Sequence, residues 1–186
     1  MKKFKDFCIH QHDIECNQKY DKTKPYSYHL ELVVSKVDKF KHLLSDDIDF
    51  EYEIAVCAAW GHDLIEDARQ TYNDIAQKNI YPKESYGVVT YHSISKKVAD
   101  IIYLLTDEKG KKRSERHSDK YFDELAQNDL AVFVKLCDVI ANVQYSILME
   151  SRMFEAYKSE FPRLKQKLYK SKYDEMFVYL EILLSL

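Results

Sequence analysis

His62 and Asp63 stand side by side in the stretch Ala58-Ala59-Trp60-Gly61-His62-Asp63-Leu64-Ile65-Glu66-Asp67, and two more carboxylates follow within four residues. The surrounding pattern reads as a buried helix from Glu53 to Asp67, with Ile54, Cys57, Ala58 and Leu64 facing inward. On such a helix residues four apart share a face, so His62 lies beneath Glu66 and Asp63 beneath Asp67. Crowding four acid or imidazole groups against an apolar helix is unfavourable unless a cation or a hydrogen-bond network compensates. Taken alone, a His-Asp pair is more often a core histidine beside a solvated acid, so the rest of the chain has to decide.

Two other helices carry matching anomalies. A segment from Tyr26 to about Leu44 has Leu30, Val33, Val34 and Val37 at helical spacing, with His29 near its N-terminal end on the same stripe. A nearly all-apolar segment from Ala131 to about Met149 carries Asp138 and Asn142 four apart, hence on one face. His29, His62, Asp63 and Asp138 are thus four candidate ligands on three helices. Two imidazoles with two carboxylates suit manganese, iron, zinc or magnesium, and a mixed set that leaves room for water favours a catalytic site over a structural one. Such an ion lowers the pKa of water and polarises a phosphoryl oxygen, while Glu66 or Asp67 could orient or deprotonate the attacking water.

The elements that must position these residues are helical. A chain of 186 residues with 46% hydrophobic residues can bury one substantial core, and only three Gly and three Pro argue against the many tight turns of a sandwich or barrel. We therefore expect an all-α protein, one domain over residues 1–186. An amphipathic pattern starts at Phe4, Phe7 and Cys8 and runs to about Gln18; residues 20–25 read as a polar loop. Thr71-Tyr72-Asn73-Asp74 is a capping-box-like start of a short helix that stops before Pro82, and the tyrosine-rich stretch from Tyr81 to Ser93 reads as loop. Val98, Ile101, Ile102 and Leu105 give another helical stripe, Tyr121, Phe122 and Leu125 a further helix, and Tyr173 to Leu184 a terminal amphipathic one.

The net charge of −3 and pI near 6.2 give no overall attraction to nucleic acid or to an acidic membrane, so neither is expected as a partner. An anionic ligand would need a local basic patch, and residues 107–117, with Lys109, Lys112 and Arg116, are the one strongly basic segment; charge runs of this kind are commonly solvated loops. Cys8, Cys16, Cys57 and Cys137 form no C-x-x-C pair, and reduced thiols in a cytoplasmic protein fit best. The N-terminal residues lack a signal-peptide pattern, and no apolar run approaches a bilayer span.

The order His29, His62-Asp63, Asp138 resembles the HD superfamily of metal-dependent phosphohydrolases, whose fold is a helical bundle. Pro25-Tyr26-Ser27-Tyr28-His29, His62-Asp63-Leu64-Ile65-Glu66-Asp67 and Val134 to Asn142 resemble the PY-x-x-H, HD-x-x-ED and VKLAD-x-x-x-N motifs of RelA/SpoT-type hydrolase domains. Residues 105–116 look like the basic link of the single-domain metazoan SpoT homologues, and the likeness runs from about His12 to Tyr157. The resemblance implies removal of pyrophosphate from the 3′ position of guanosine tetra- and pentaphosphate with manganese as cofactor. It implies His29, His62, Asp63 and Asp138 as metal ligands, Glu66 and Asp67 acting on water, and Asn142 binding the substrate near its sugar or phosphates. Lys109, Lys112 and Arg116 would meet the phosphates.

Three positions depart from that pattern. Gln18-Lys19-Tyr20 stands where the family has a basic cluster with an arginine, Leu30 where a proline follows the histidine, and Val139 where a basic residue follows the aspartate. Lys19 could substitute for the displaced charge and Tyr20 could stack on a base. These changes bear on the guanine side, so a phosphohydrolase for another nucleotide, such as NADPH or a deoxynucleoside monophosphate, and a nucleotide sensor that keeps its metal but turns over poorly are the alternatives.

Overall fold

From Ile54 onward, helix α3 (Ile48–Gly61) is apolar on every side: residues from Ile54 to Trp60 are all buried, which places it at the centre of the molecule. Ala55, Ala58 and Ala59 keep it slim, so that α1 (Lys2–Ile9), α2 (Ser27–Phe40), α5 (Val88–Leu105) and α8 (Asp129–Leu148) pack directly against it. The computed structural model describes residues 2–45, 48–78 and 88–186. Short helices α4 (Tyr72–Ala76), α6 (Arg113–Arg116) and α7 (Asp119–Leu125), then α9 (Met153–Leu168) and α10 (Asp174–Leu184), complete the all-α bundle. One continuous core runs from Phe4 through Leu30, Leu64, Ile102, Phe133 and Leu136 to Phe177 and Leu184.

Helix α8 is long and apolar enough to cross a membrane by length and composition alone, but 67% of that window is buried inside the bundle. That burial accounts for its apolar faces: it packs against α2, α3, α5, α9 and α10 at once. Asn128 caps it, its side chain accepting the Ala131 amide at 3.0 Å. Its buried charged exception is Asp138.

The observed boundaries differ from the sequence reading in ways that matter for the site. The first amphipathic segment does not run as one α-helix to Gln18: α1 gives way to a π-helical turn, His10–Glu15. The expected polar loop at 20–25 contains a two-residue hairpin, β1 (Lys19–Tyr20) paired antiparallel with β2 (Lys24–Pro25). Asn17 and Asp21 flank β1 with φ of 45° and 54°, a conformation that short polar side chains tolerate, and Asp21 Oδ1 accepts the Thr23 amide at 2.7 Å. Helix α2 ends at Phe40, with a 3₁₀ turn over Lys41–Leu43. Val88 to Ser93, expected as loop, belongs to α5; the rest of that call, from Tyr81 to Gly87, lies outside the described residues.

The third helix stops at Gly61, not Asp67, and His62 to Asp67 form consecutive turns. Leu64 N–H donates to Gly61 O at 3.0 Å, Gln70 N–H to Leu64 O at 3.0 Å, and Arg69 takes a φ of 58°. Gly61 leaves no room for a side chain: a Cβ there would lie 2.7 Å from Ile102 Cδ1 and 3.0 Å from Phe4 Cζ, both in the core. Gly61→Ala should therefore lose about 1–3 kcal/mol of stability from overpacking, read as a lowered urea midpoint with an unchanged slope.

Candidate metal centre

The four polar side chains at this site are delivered by three elements. His29 comes from the first turn of α2, His62 and Asp63 from the turns that follow α3, and Asp138 from the middle of α8. His29 Nε2 lies 3.1 Å from His62 Nε2, 3.6 Å from Asp63 Oδ2 and 3.4 Å from Asp138 Oδ1. His62 Nε2 lies 2.9 Å from Asp63 Oδ2 and 3.7 Å from Asp138 Oδ1. Donors around one ion with bonds of about 2.1 Å stand about 3 Å apart in an octahedral shell and about 3.4 Å apart in a tetrahedral one. The donors of His29, His62 and Asp63 all lie within 4.8 Å of one another, and a divalent cation could sit among them with Asp138 closing the set.

The surroundings fit that use. His62 Nδ1 lies 2.9 Å from Ala59 O; as only an N–H can be shared with a carbonyl, Nδ1 carries hydrogen and Nε2 is left to face the cluster. Without a cation the two rings divide one proton. Burial and the neighbouring His62 push His29 down to about 4, whereas Asp63 and Asp138 outweigh the burial of His62 and hold it up at about 9.

The carboxylates are tethered in turn. Tyr26, at the start of α2, donates its hydroxyl to Asp63 Oδ2 at 2.5 Å and also reaches Asp67 Oδ2 at 3.2 Å. Asp67 further accepts from Gln18 Nε2 at 2.8 Å, and Gln18 Oε1 lies 2.7 Å from Nδ1 of the fully buried His12, whose ring stacks on Tyr26. Asp138 Oδ1 accepts from Asn142 Nδ2 at 2.6 Å, and Asp138 Oδ2 lies 3.4 Å from Lys135 Nζ. Such outer partners fix the direction of a ligand's lone pairs. Tyr26→Phe removes one without changing shape, and metal affinity measured by titration should fall about 10- to 100-fold.

The cluster opens into a cleft of about 350 Å³. Glu66 and Asp67 line it beside Asp63. Glu66 is pushed up to about 7, by its burial first and then by the nearby charges of Asp107 and Asp63. A carboxylate that titrates near neutrality can take a proton from water and release it again.

The chain folds like an ortholog of SpoT. A solved structure of a metazoan ortholog of SpoT, described as hydrolyzing ppGpp and playing a role in starvation responses, matches with a TM-score of 0.60. The match covers 96% of this chain and 94% of that chain, at 18% sequence identity. No family model and no curated protein matches the sequence. The SpoT-like fold is thus established by shape over nearly the whole chain.

Within this SpoT-like frame the sequence-predicted residues separate. His29, Asp63, Glu66, Asp67, Asp138 and Asn142 all line the cleft, with His62 buried directly behind. Tyr20 lines it too, but is engaged: its hydroxyl donates to Asn142 Oδ1 at 2.9 Å and its ring stacks on His29 at 4.8 Å. Lys19, one residue earlier in the hairpin, is exposed and outside the lining. Lys109 and Lys112 are likewise exposed and outside it, while Arg116 is half-buried over Asp107 Oδ2 (3.7 Å) and Glu66 Oε1 (4.0 Å).

The cations that do line the cleft are Arg113, Lys135 and Arg163. Arg113 is held by Glu160 at 2.7 Å and lies over the Tyr157 ring; Lys135 points inward from α8 with only 14% of its side chain exposed. Lys135 and Tyr26 fall inside the quoted motifs, so position in the motif could have singled them out. Arg113 lies in the basic segment but looks no different there from its neighbours, and Arg163 carries no signal at all, because only packing of α6 and α9 over the cleft brings them there.

Proposed function

We propose that this chain is a divalent-metal-dependent phosphohydrolase acting on a phosphorylated nucleotide, and that its substrate is guanosine bearing a 3′-pyrophosphate. The observation that carries the reading is the convergence of His29, His62, Asp63 and Asp138 donors at 2.9 to 3.7 Å on one wall of a cleft. The SpoT-like fold supports it. His29, His62, Asp63 and Asp138 would hold the cation, with manganese the preferred ion; bound there, it supplies a charge that polarises the phosphoryl group and acidifies water.

The remaining steps belong to side chains of this chain. Glu66 takes the proton of the attacking water. Asp67, held by Tyr26 and Gln18, orients that water. Lys135 and Arg113 face the phosphate charge, and Asn142 faces the sugar. Lys109, Lys112 and Arg116, on the rim segment, steer the anion toward the cleft. Lys19 adds charge at the hairpin and Tyr20 offers its ring to the base once the bond to Asn142 is released. The whole of residues 1–186 serves as one catalytic domain, working in the cytoplasm.

One observation favours a second substrate. Asn142 is bonded on both sides, to Tyr20 and to Asp138, and Gln18-Lys19-Tyr20 stands where the RelA/SpoT pattern has a basic cluster with an arginine. That arrangement favours a different phosphorylated nucleotide, NADPH or a deoxynucleoside monophosphate among them. Purified protein with manganese, supplied with a nucleotide panel, decides: pyrophosphate from guanosine tetraphosphate supports the first substrate, orthophosphate from NADPH or a monophosphate the second. Binding without turnover would mark a nucleotide sensor and sink the enzymatic reading.

A further inference from the structure

Next to Glu66, the same cleft is lined by a second titratable pair that the reaction described above does not use. His117 Nε2 lies 3.0 Å from Asp107 Oδ1, and only 12% and 10% of the two side chains is exposed. A carboxylate at this distance accepts from Nε2–H, so Nδ1 is the ring position left to exchange a proton; no described residue bonds it. The pair is braced on every side. The imidazole stacks on Tyr121 at 5.6 Å, Arg116 Nε stands 3.7 Å from Asp107 Oδ2, and the Asp107 amide donates to Glu66 Oε2 at 3.3 Å. Against its burial, the bond from His117 and then the charges of Lys135 and Arg116 hold Asp107 below the usual carboxylate range. The brace therefore links the imidazole, through Asp107, to the carboxylate that handles water.

Breaking a phosphate ester at a sugar oxygen leaves an alkoxide, a poor leaving group unless it is protonated as the bond breaks. We propose that His117, oriented by Asp107, is the general acid that protonates this leaving oxygen; the assignment rests on the phosphohydrolase reading. In the balanced step, the water oxygen bonds to phosphorus and its proton goes to Glu66. The bond from phosphorus to the sugar oxygen breaks with its electron pair on oxygen, and the Nδ1 proton of His117 neutralises it. The imidazole then recovers its proton from solvent in the open cleft. His117 is the catalytic residue here and Asp107 the positioning one.

The test is leaving-group dependence in the manganese-loaded full chain. His117→Gln and Asp107→Asn are compared with the native chain on the nucleotide it turns over, and on an aryl phosphate diester whose phenolate departs unaided. Both variants should lose about 10²- to 10³-fold on the nucleotide and under about threefold on the aryl ester, with metal content unchanged. Equal losses on both substrates, or none on the nucleotide, would overturn the acid while leaving the phosphohydrolase reading intact. A native chain inert to every nucleotide and to the aryl ester would overturn that reading and the acid with it.

Discussion

Asp138→Asn should leave the protein without bound metal after dialysis and lower turnover by at least roughly a thousandfold, about 4 kcal/mol of transition-state stabilisation. The argument is geometric. Asp138 is the one buried carboxylate on the long apolar α8, its Oδ1 lies 3.4 Å from His29 Nε2, and Lys135 and Asn142 hold both of its oxygens. The amide fills the same space and keeps a partner for Lys135, so the change removes a charge from the cluster without opening a cavity. Elemental analysis of the dialysed variant reads the result. Full metal occupancy in Asp138→Asn would remove the residue from the ligand set.

Glu66→Gln separates the two jobs proposed for the histidine-aspartate stretch. Glu66 makes no contact with the cluster donors; its partners are the Asp107 amide and Arg116. The variant should keep its metal and lose about 10²- to 10⁴-fold in turnover. The pH dependence gives a second signature. A base must be ionised to work, so with Glu66 raised to about 7 the native rate climbs as pH rises through that region, and a bound dication displaces the midpoint to lower pH. The rising limb should vanish in the variant. Loss of metal together with rate would instead make Glu66 a ligand.

Much of this arrangement was legible in the chain. The period of Leu30, Val33 and Val37 placed α2, and the apolar run with a lone Asp138 placed α8; both follow from burial, which composition records directly. His29, His62, Asp63 and Asp138 stand out by residue type and order, and the fold brings them together, with His29 Nε2 3.1 to 3.6 Å from the other three. The end of α3 was not legible: Leu64 and Ala68 continue a buried pattern, and nothing in periodicity reveals that the Gly61 carbonyl turns to the Leu64 amide. Residues 62–67 as turns still bring Asp63 and Asp67 onto one Tyr26 hydroxyl, so the expected neighbourhood exists for a different backbone reason. Helix α9 went unread because Pro162 lies inside it and not at its edge. His117 was hidden in a basic run, where its pairing with Asp107 depends on the loop closing between α5 and α7.

The cluster also serves as a gauge of the whole chain. Its donors come from α2, from the turns after α3 and from α8, and the Tyr20–Asn142 bond beside it spans 122 residues. Contacts this distant in sequence form only when the intervening loops have closed, so the set is incomplete in a fragment that lacks α8, and the Tyr20–Asn142 bond is lost without either α8 or the hairpin. Cation uptake by a truncated or circularly permuted form of this protein would therefore report correct topology, with no substrate needed.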